Sequence, residues 1–442
     1  MTDRATRREY LLAAGTLAAA GLAGCSSDGG GPSTTATDDP TTELEPATQG
    51  TTDDSTTEDT TTAVSVPNVE FPTLDAPSPT YRNWLPADDE YALGFWSATN
   101  FERLREVRSE ISPGDVADAV ATPTAVDYIG IEFEEMTGTI GALSGPGIIY
   151  PGEFDREKIG TVLLDTGYEQ YETNGDRVFY RRMNAEGEVS ARVAVAGHGV
   201  IHNFGGDRDT GFVPWANALF ETAAGERTRR HEEDELLRKY TDAVGWPFEV
   251  GPFVAPDTGD GIGSIAGYGD RGIVQALPKS AGEATLFGRA EYVTDGTLVE
   301  RDRFYLTGDG DLSREELRSA LDSEDAREAA ADASVAVRED ADAIEAAVIN
   351  PVENAGNASD PLLFTLRASL ESGTLTLRHL AGDPVPRERL SLVVGTETSG
   401  LGEGALGPGE SITADVSADA AGSIRVMYVW PNAESRTVVV NA

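Results

Sequence analysis

The chain of 442 residues carries 76 acidic against 34 basic side chains, a formal net charge of −42, with lysine present only at Lys158, Lys239 and Lys279. A surface of that sign repels nucleic acid and anionic lipid, so no nucleic-acid partner is expected, and it needs salt to screen its self-repulsion. The single cysteine, Cys25, excludes an intrachain disulfide or a multi-thiolate metal site.

The N-terminus reads as an export signal. Arg7 and Arg8 precede an uncharged apolar run from Leu11 to Gly24, shorter than the roughly 20 residues a spanning helix requires. Twin arginines predict the Tat route. The sequence Leu22-Ala23-Gly24-Cys25 resembles a lipobox, which implies cleavage before Cys25 and lipid attachment on its sulfur. Residues 1–25 are thus expected to be a lipoprotein signal, and the membrane a partner through that lipid on the extracellular face. Residues 26–66 are rich in threonine, acid, glycine and proline and lack lysine, arginine and aromatics, so a disordered tether is predicted. Together with the acidic composition, the lipobox and paired arginines resemble surface lipoproteins of haloarchaea.

Composition changes near residue 67. An aromatic cluster follows, with Trp84, Phe95 and Trp96, to which Trp215 adds later; such rings serve either a core or a ligand face. A helix is predicted from Asn100 to Val107, with Phe101, Leu104 and Val107 on one side. VDYIGIEFEE (126–135) reads as a strand, then GIIYPGEF. The segment GEFDREKIGTVL at 152–163 aligns with GDLSREELRSAL at 310–321, each a short polar cap before an apolar helical stripe and each after a β-rich stretch. This predicts a duplicated ββα unit. QYETNGDRVFYRR reads as a hairpin turning at Asn174-Gly175, SARVAVAGHGVIHNFG as a strand pair, and WANALFETAAG and HEEDELLRKYTDAVG as helices. The run from 312 to 348 reads as helix, strand, helix.

The expected fold class is α+β: residues 67–345 form an antiparallel-sheet region of two related halves, about 80–250 and 251–345. Residues 346–442 are predicted to be a small β-sandwich of roughly six to eight strands. The segment SGTLTLRHLAGDPVPRERLSLVVG, with GPGESITADV and a closing VVV strand, resembles the β-domain of archaeal type IV pilin-like proteins. The resemblance implies a structural turn at His379, Gly382 and Asp383.

Chemistry is sparse. His198 and His202 are four apart, a spacing for two metal ligands on a helix, with Asp207 or Asp209 as a third; the glycine-rich setting instead favours a turn and strand. Asp309, Asp311 and Ser313 begin like a calcium loop, but Arg314 stands where glycine is needed. No cofactor is predicted, although calcium or other cations can bind an acidic surface. GIGSIAGYG (261–269) lacks a phosphate-binding lysine and reads as a connection, and Asn357-Ala358-Ser359 is a glycosylation sequon. The leading expectation is a non-enzymatic, lipid-anchored surface protein with a binding or envelope-scaffold role and envelope protein partners. Alternatives are a secreted hydrolase or metal-dependent enzyme with its site in the α+β region, and a solute-binding lipoprotein.

Overall fold

The computed structural model describes residues 70–88, 96–110, 127–142, 147–184, 187–204, 211–254, 285–294, 296–306, 313–323, 333–340, 342–352, 362–395, 397–416, 424–429 and 435–440. Arg7, Arg8, Cys25, the tether, Phe95, Asp207, Asp209, 261–269, Asp309, Asp311 and Asn357 lie outside the described residues. Among those described, no helix is long and apolar enough to cross a membrane.

The fold is α+β. Its first half contains β1 (Trp96–Asn100), α1 (Phe101–Val107), β2 (Gly138–Ala142), β3 (Ile148–Pro151), α2 (Arg156–Asp165), β4 (Glu169–Asn174), β5 (Arg177–Met183), β6 (Val189–Ala196) and β7 (Gly199–Phe204). Three helices follow: α3 (Phe212–Ala224), α4 (Arg230–Glu233) and α5 (Glu235–Val244). The second half contains β8 (Glu249–Val254), β9 (Thr285–Thr294), β10 (Thr297–Leu306), α6 (Arg314–Leu321), β11 (Ser334–Glu339) and β12 (Ile344–Pro351). All twelve strands join one antiparallel sheet in the order β11-β12-β10-β9-β8-β1-β2-β3-β7-β6-β5-β4.

Both halves follow one topology. Three strands meander, a capped helix crosses, and antiparallel strands return so that the last lies beside the third: β7 beside β3, β12 beside β10. Asp155 caps α2 through its side chain, and Ser313 with Glu316 forms a full capping box on α6. The halves meet where β1 pairs with β8, in register at Ala98↔Val250 and Thr99↔Glu249.

Strand alternation sends successive side chains to opposite faces. On one face Ala194, Ile201, Ala290 and Tyr292 pack against α3 and α5 through Trp215, Leu219, Leu237 and Tyr240. On the other, Val193, Val195 and Val200 meet α1 and α2 through Phe101, Leu104, Ile159 and Leu163, while Phe287, Phe304 and Ile344 meet α6 through Leu317 and Leu321. Asn100 caps α1 by accepting from the Arg103 N–H at 3.0 Å, and the predicted stripe of Phe101, Leu104 and Val107 is buried.

The C-terminal unit contains β13 (Phe364–Glu371), β14 (Thr374–Gly382), β15 (Val385–Pro386), β16 (Leu390–Val394), β17 (Glu397–Gly400), β18 (Ala405–Leu406), β19 (Ser411–Asp415), β20 (Ile424–Val429) and β21 (Ser435–Val440). Sheets β13-β14-β19 and β17-β16-β20-β21 face each other across Leu366, Leu375, Leu377, Leu390, Leu392, Val426 and Tyr428. That core is continuous with the α1–α2 side of the large sheet. Two hydrogen bonds close the seam: Tyr128 N–H donates to the Phe364 carbonyl at 3.2 Å, and the Arg367 guanidinium to the Thr166 carbonyl at 3.0 Å. Buried His379 contacts the Asp383 carbonyl through Nε2 at 3.0 Å, and the Asp383 carboxylate accepts from Leu363 N–H at 2.9 Å, so these residues clasp the strand ends.

Three expectations change. Residues 127–135 of VDYIGIEFEE are not a sheet strand: Gly130 sits at φ +89°, with Ile129 and Ile131 buried around it, and Phe133–Glu135 forms a 3-10 turn. The final helix expected before 348 is β12, whose alternating Ile344, Ala346 and Val348 face α6 while Ala347 faces the α5 side; the boundary expected at 345–346 therefore falls inside a strand of the large sheet. The β4–β5 turn residues are Gly175, at φ +62°, and Asp176, with Asn174 closing the ladder opposite Arg177.

A cleft beside the strap as the candidate functional site

Residues 70–86 form a strap across the α3–α5 face. Phe71, Leu74 and Ala76 pack on it, Trp246 N–H donates to the Pro77 carbonyl at 2.8 Å, and Arg230 N–H to the Leu85 carbonyl at 2.8 Å. Within the strap a 3-10 turn, Thr80–Trp84, buries Tyr81 and Trp84. Arg82 pins the turn to α5, donating to the Thr241 hydroxyl at 3.1 Å and pairing with Asp242.

Beside that turn lies a cavity of about 210 Å³ lined by Thr80, Tyr81, Asn83, Trp84, Thr137, Pro151, His198, Ala223 and Trp246. The residues come from six places: the strap, the approach to β2, the end of β3, the β6–β7 turn, the end of α3 and the end of α5. Two glycines let the large rings reach the sheet. A Cβ on Gly199 would lie 2.2 Å from Trp84 Cη2, and one on Gly138 would lie 2.6 Å from Trp246 Cζ2. Gly199→Ala is accordingly expected to displace Trp84 and lower stability by about 1–3 kcal/mol as overpacking, read by thermal unfolding together with a shift in tryptophan emission.

The polarity of this wall is unusual. Tyr81 Oη, His198 Nε2 and Trp246 Nε1 are all buried, and none has a hydrogen-bond partner within the protein. Such groups cost about 1–3 kcal/mol each unless a ligand or water satisfies them. Burial, and secondarily Tyr292, pushes the Tyr81 hydroxyl well above its ordinary range, so it remains a neutral donor. The rings meet tilted or edge-on: Tyr81 and Trp246 centroids are 5.6 Å apart at 67°, Trp84 and His198 5.6 Å apart at 30°.

The structure does not bring His198 and His202 together. His198 occupies the β6–β7 turn against Trp84 and Phe220 on the α3 side. His202 lies fully buried on the opposite face, where Nε2 is 3.3 Å from Tyr168 Oη and 3.6 Å from Asp127. Arg182 holds Asp127 through two bonds of 2.9 and 3.0 Å, and the Tyr168 hydroxyl donates to the same carboxylate at 2.9 Å. Because that hydroxyl proton is committed to Asp127, the His202 contact requires His202 Nε2 to donate. Burial, reinforced by Arg182 and opposed by Asp127, pushes His202 down to about 3, so it is neutral. Among the described residues, no group of three His, Cys, Asp or Glu is placed to hold a metal ion.

A second charged network lies in the second half. The fully buried Glu345 carboxylate receives Arg301, Arg303 and Arg338, the last at 2.6 Å. Arg303 also donates to Asp340 at 2.8 Å and Tyr305 at 2.6 Å, and Arg301 to the Ala243 carbonyl of α5 at 2.9 Å. The buried Arg301 Nε is left without a hydrogen-bond partner among the described residues, and Phe71 of the strap lies under Arg338 at 3.9 Å. The network fastens β10, β11, β12 and α5 together.

Of the aromatics singled out in the sequence, Trp84, Trp96 and Trp215 are buried, and Trp84 lines the cleft. Tyr81 and Trp246 were not legible as site residues. Their one signal is position: each follows a proline- or glycine-bearing break, in PTYRNW and VGWP.

No protein-family model and no curated protein matches the chain. Among solved structures, "Structure of crystal form I of TP0453" is similar at 9% identity and a TM-score of 0.36, covering 64% of this chain and 95% of that one. "Structure of crystal form III of TP0453" is similar at 11% identity and the same TM-score, covering 96% of its own chain. A likeness that loose does not establish a common fold.

Proposed function

We propose that the protein is a lipid-anchored cell-surface binding protein whose α+β unit takes a small uncharged ligand in the strap cleft. The observation that supports this reading is the cavity of about 210 Å³ between the strap and the large sheet, lined by residues of the strap, the sheet and the ends of α3 and α5. The anchor rests on the sequence: Arg7, Arg8, the apolar run and Leu22–Cys25 in the order an exported lipoprotein needs. Binding is favoured over acid–base hydrolysis because the described lining consists of aromatic, hydroxyl, amide and aliphatic side chains plus one histidine, a set that grips and orients.

The test uses the full chain in molar salt, titrated with a panel of small uncharged polar molecules and followed by tryptophan emission and thermal shift. A saturable response is expected, because Trp84 and Trp246 form the wall. Ala223→Trp fills the cavity from the end of α3 and should abolish the response while leaving the far-UV spectrum unchanged. A response that survives this plug would place binding elsewhere and overturn the assignment.

A further inference from the structure

We infer that the strap is a two-stage release through which a pull on the anchored N-terminus reaches the cleft. The inference rests on Cys25 carrying the lipid and adds what that attachment does to the site. A pull on Cys25 arrives along the chain at Phe71, the end of the strap remote from β1. Any partner that grips the folded body and moves it relative to the membrane therefore loads the strap before it loads a strand.

The strap's hold is graded along its length. None of residues 70–80 is buried: Phe71, Leu74 and Ala76 are only partly covered by the α3–α5 face, and the bond from Trp246 N–H to the Pro77 carbonyl fastens them. Further along, Tyr81, Trp84, Leu85 and Pro86 are buried and Arg82 is pinned to Thr241 and Asp242. There Arg230 N–H bonds the Leu85 carbonyl, and Ala87 N–H donates to the Thr228 carbonyl at 3.1 Å. Segments with few buried apolar contacts open first. Residues 70–80 thus peel at low force and the opening halts at Tyr81, while residues 81–88 yield only at a higher one. The first stage frees Thr80 alone of the cleft's lining; the second takes away Tyr81, Asn83 and Trp84. Neither stage breaks a ladder of the large sheet, because the strap meets the body at the isolated bridge Pro86↔Arg229 and lies outside the twelve strands.

The experiment pulls the full chain in an optical trap in molar salt, with one DNA handle on Cys25, the only thiol, and the other on a C-terminal tag. Two small extensions should precede any larger one, releasing about 36–40 Å for residues 70–80 and about 26–29 Å for residues 81–88, at about 3.3–3.6 Å per residue. Phe71→Ala should lower the force of the first without moving the second, and Trp84→Ala the force of the second without moving the first. Hydrogen exchange of the unloaded protein should follow the same order, 70–80 before 81–88 before the sheet. Mass spectrometry of the membrane-bound protein reads the lipid on Cys25 separately. A first event that already unravels the sheet or the sandwich, or a strap that leaves in one step, overturns the two-stage release while the anchor stands. An unmodified Cys25 in the membrane-bound protein overturns the anchor and, with it, the source of the pull.

Discussion

Replacing Asp127 with asparagine is expected to cost about 3–5 kcal/mol, because it leaves the Arg182 guanidinium facing a neutral amide in a largely buried site. The loss should concentrate at the seam between the large sheet and the sandwich, since the residues after Asp127 hold that seam: Tyr128 N–H bonds Phe364, and the Thr365 hydroxyl donates to the Tyr128 carbonyl at 3.3 Å. Chemical denaturation would measure the size of the effect, and limited proteolysis its place. The pH dependence follows from two groups. Burial alone would raise the Asp127 carboxyl, but the Arg182 charge and hydrogen bonds, with the Tyr168 hydroxyl, outweigh it and hold it below its ordinary 3.8. Its contribution is therefore complete above that value and drains away as pH falls through the folded pKa. His202 acts earlier. With a folded value of about 3 against 6.5 in the unfolded chain, only the unfolded chain takes up the proton between those limits, so stability falls by roughly 1.4 kcal/mol per pH unit as the solution is acidified below 6.5. His202→Gln should remove its share of that slope, while His379 and His231, also held below 6.5 by burial, keep theirs. A parent protein whose stability stays level from pH 6.5 to 4 would contradict the buried neutral histidine.

Glu345→Gln is the second large effect, again about 3–5 kcal/mol, because one carboxylate is the common acceptor for three arginines. Burial would raise its pKa, but Arg301, Arg303 and the Arg338 hydrogen bond hold it low, so it is an anion at neutral pH. The amide keeps the shape and removes the charge, leaving Arg301 and Arg303 buried among β10 and α5. High salt screens exposed pairs and reaches buried ones little, so the penalty should persist in molar salt. A penalty that vanishes there would mean that water already reaches the cluster. Hydrogen exchange on β10 and β12 would locate the loosening.

The sequence disclosed elements whose pattern is local. The apolar stripe of α1, the hairpin around Gly175, the β6–β7 turn and the paired helix starts at 155 and 313 follow from neighbours within a few residues, and the structure has them. What sequence spacing concealed were properties set by distant partners. Nothing in IEAAV distinguishes helix from strand until β10 and β11 flank it, because small alternating residues suit both. His198 and His202 share a spacing that looks like a metal pair, yet they project to opposite faces once a turn and a strand replace the helix. The cleft was hidden for the same reason: its nine residues span positions 80 to 246.

The strap has a mechanical side. The β1–β8 junction is joined in register at two residue pairs, while the neighbouring β9–β10 ladder runs for ten. Across that narrow junction the strap reaches from Phe71 on Arg338 of β11, over the end of α5, to Trp84 on His198 of the first half. It ties together two halves that already share one core on the α3–α5 face, and trimming the chain past residue 86 would remove both that tie and four of the nine cleft walls in the same cut.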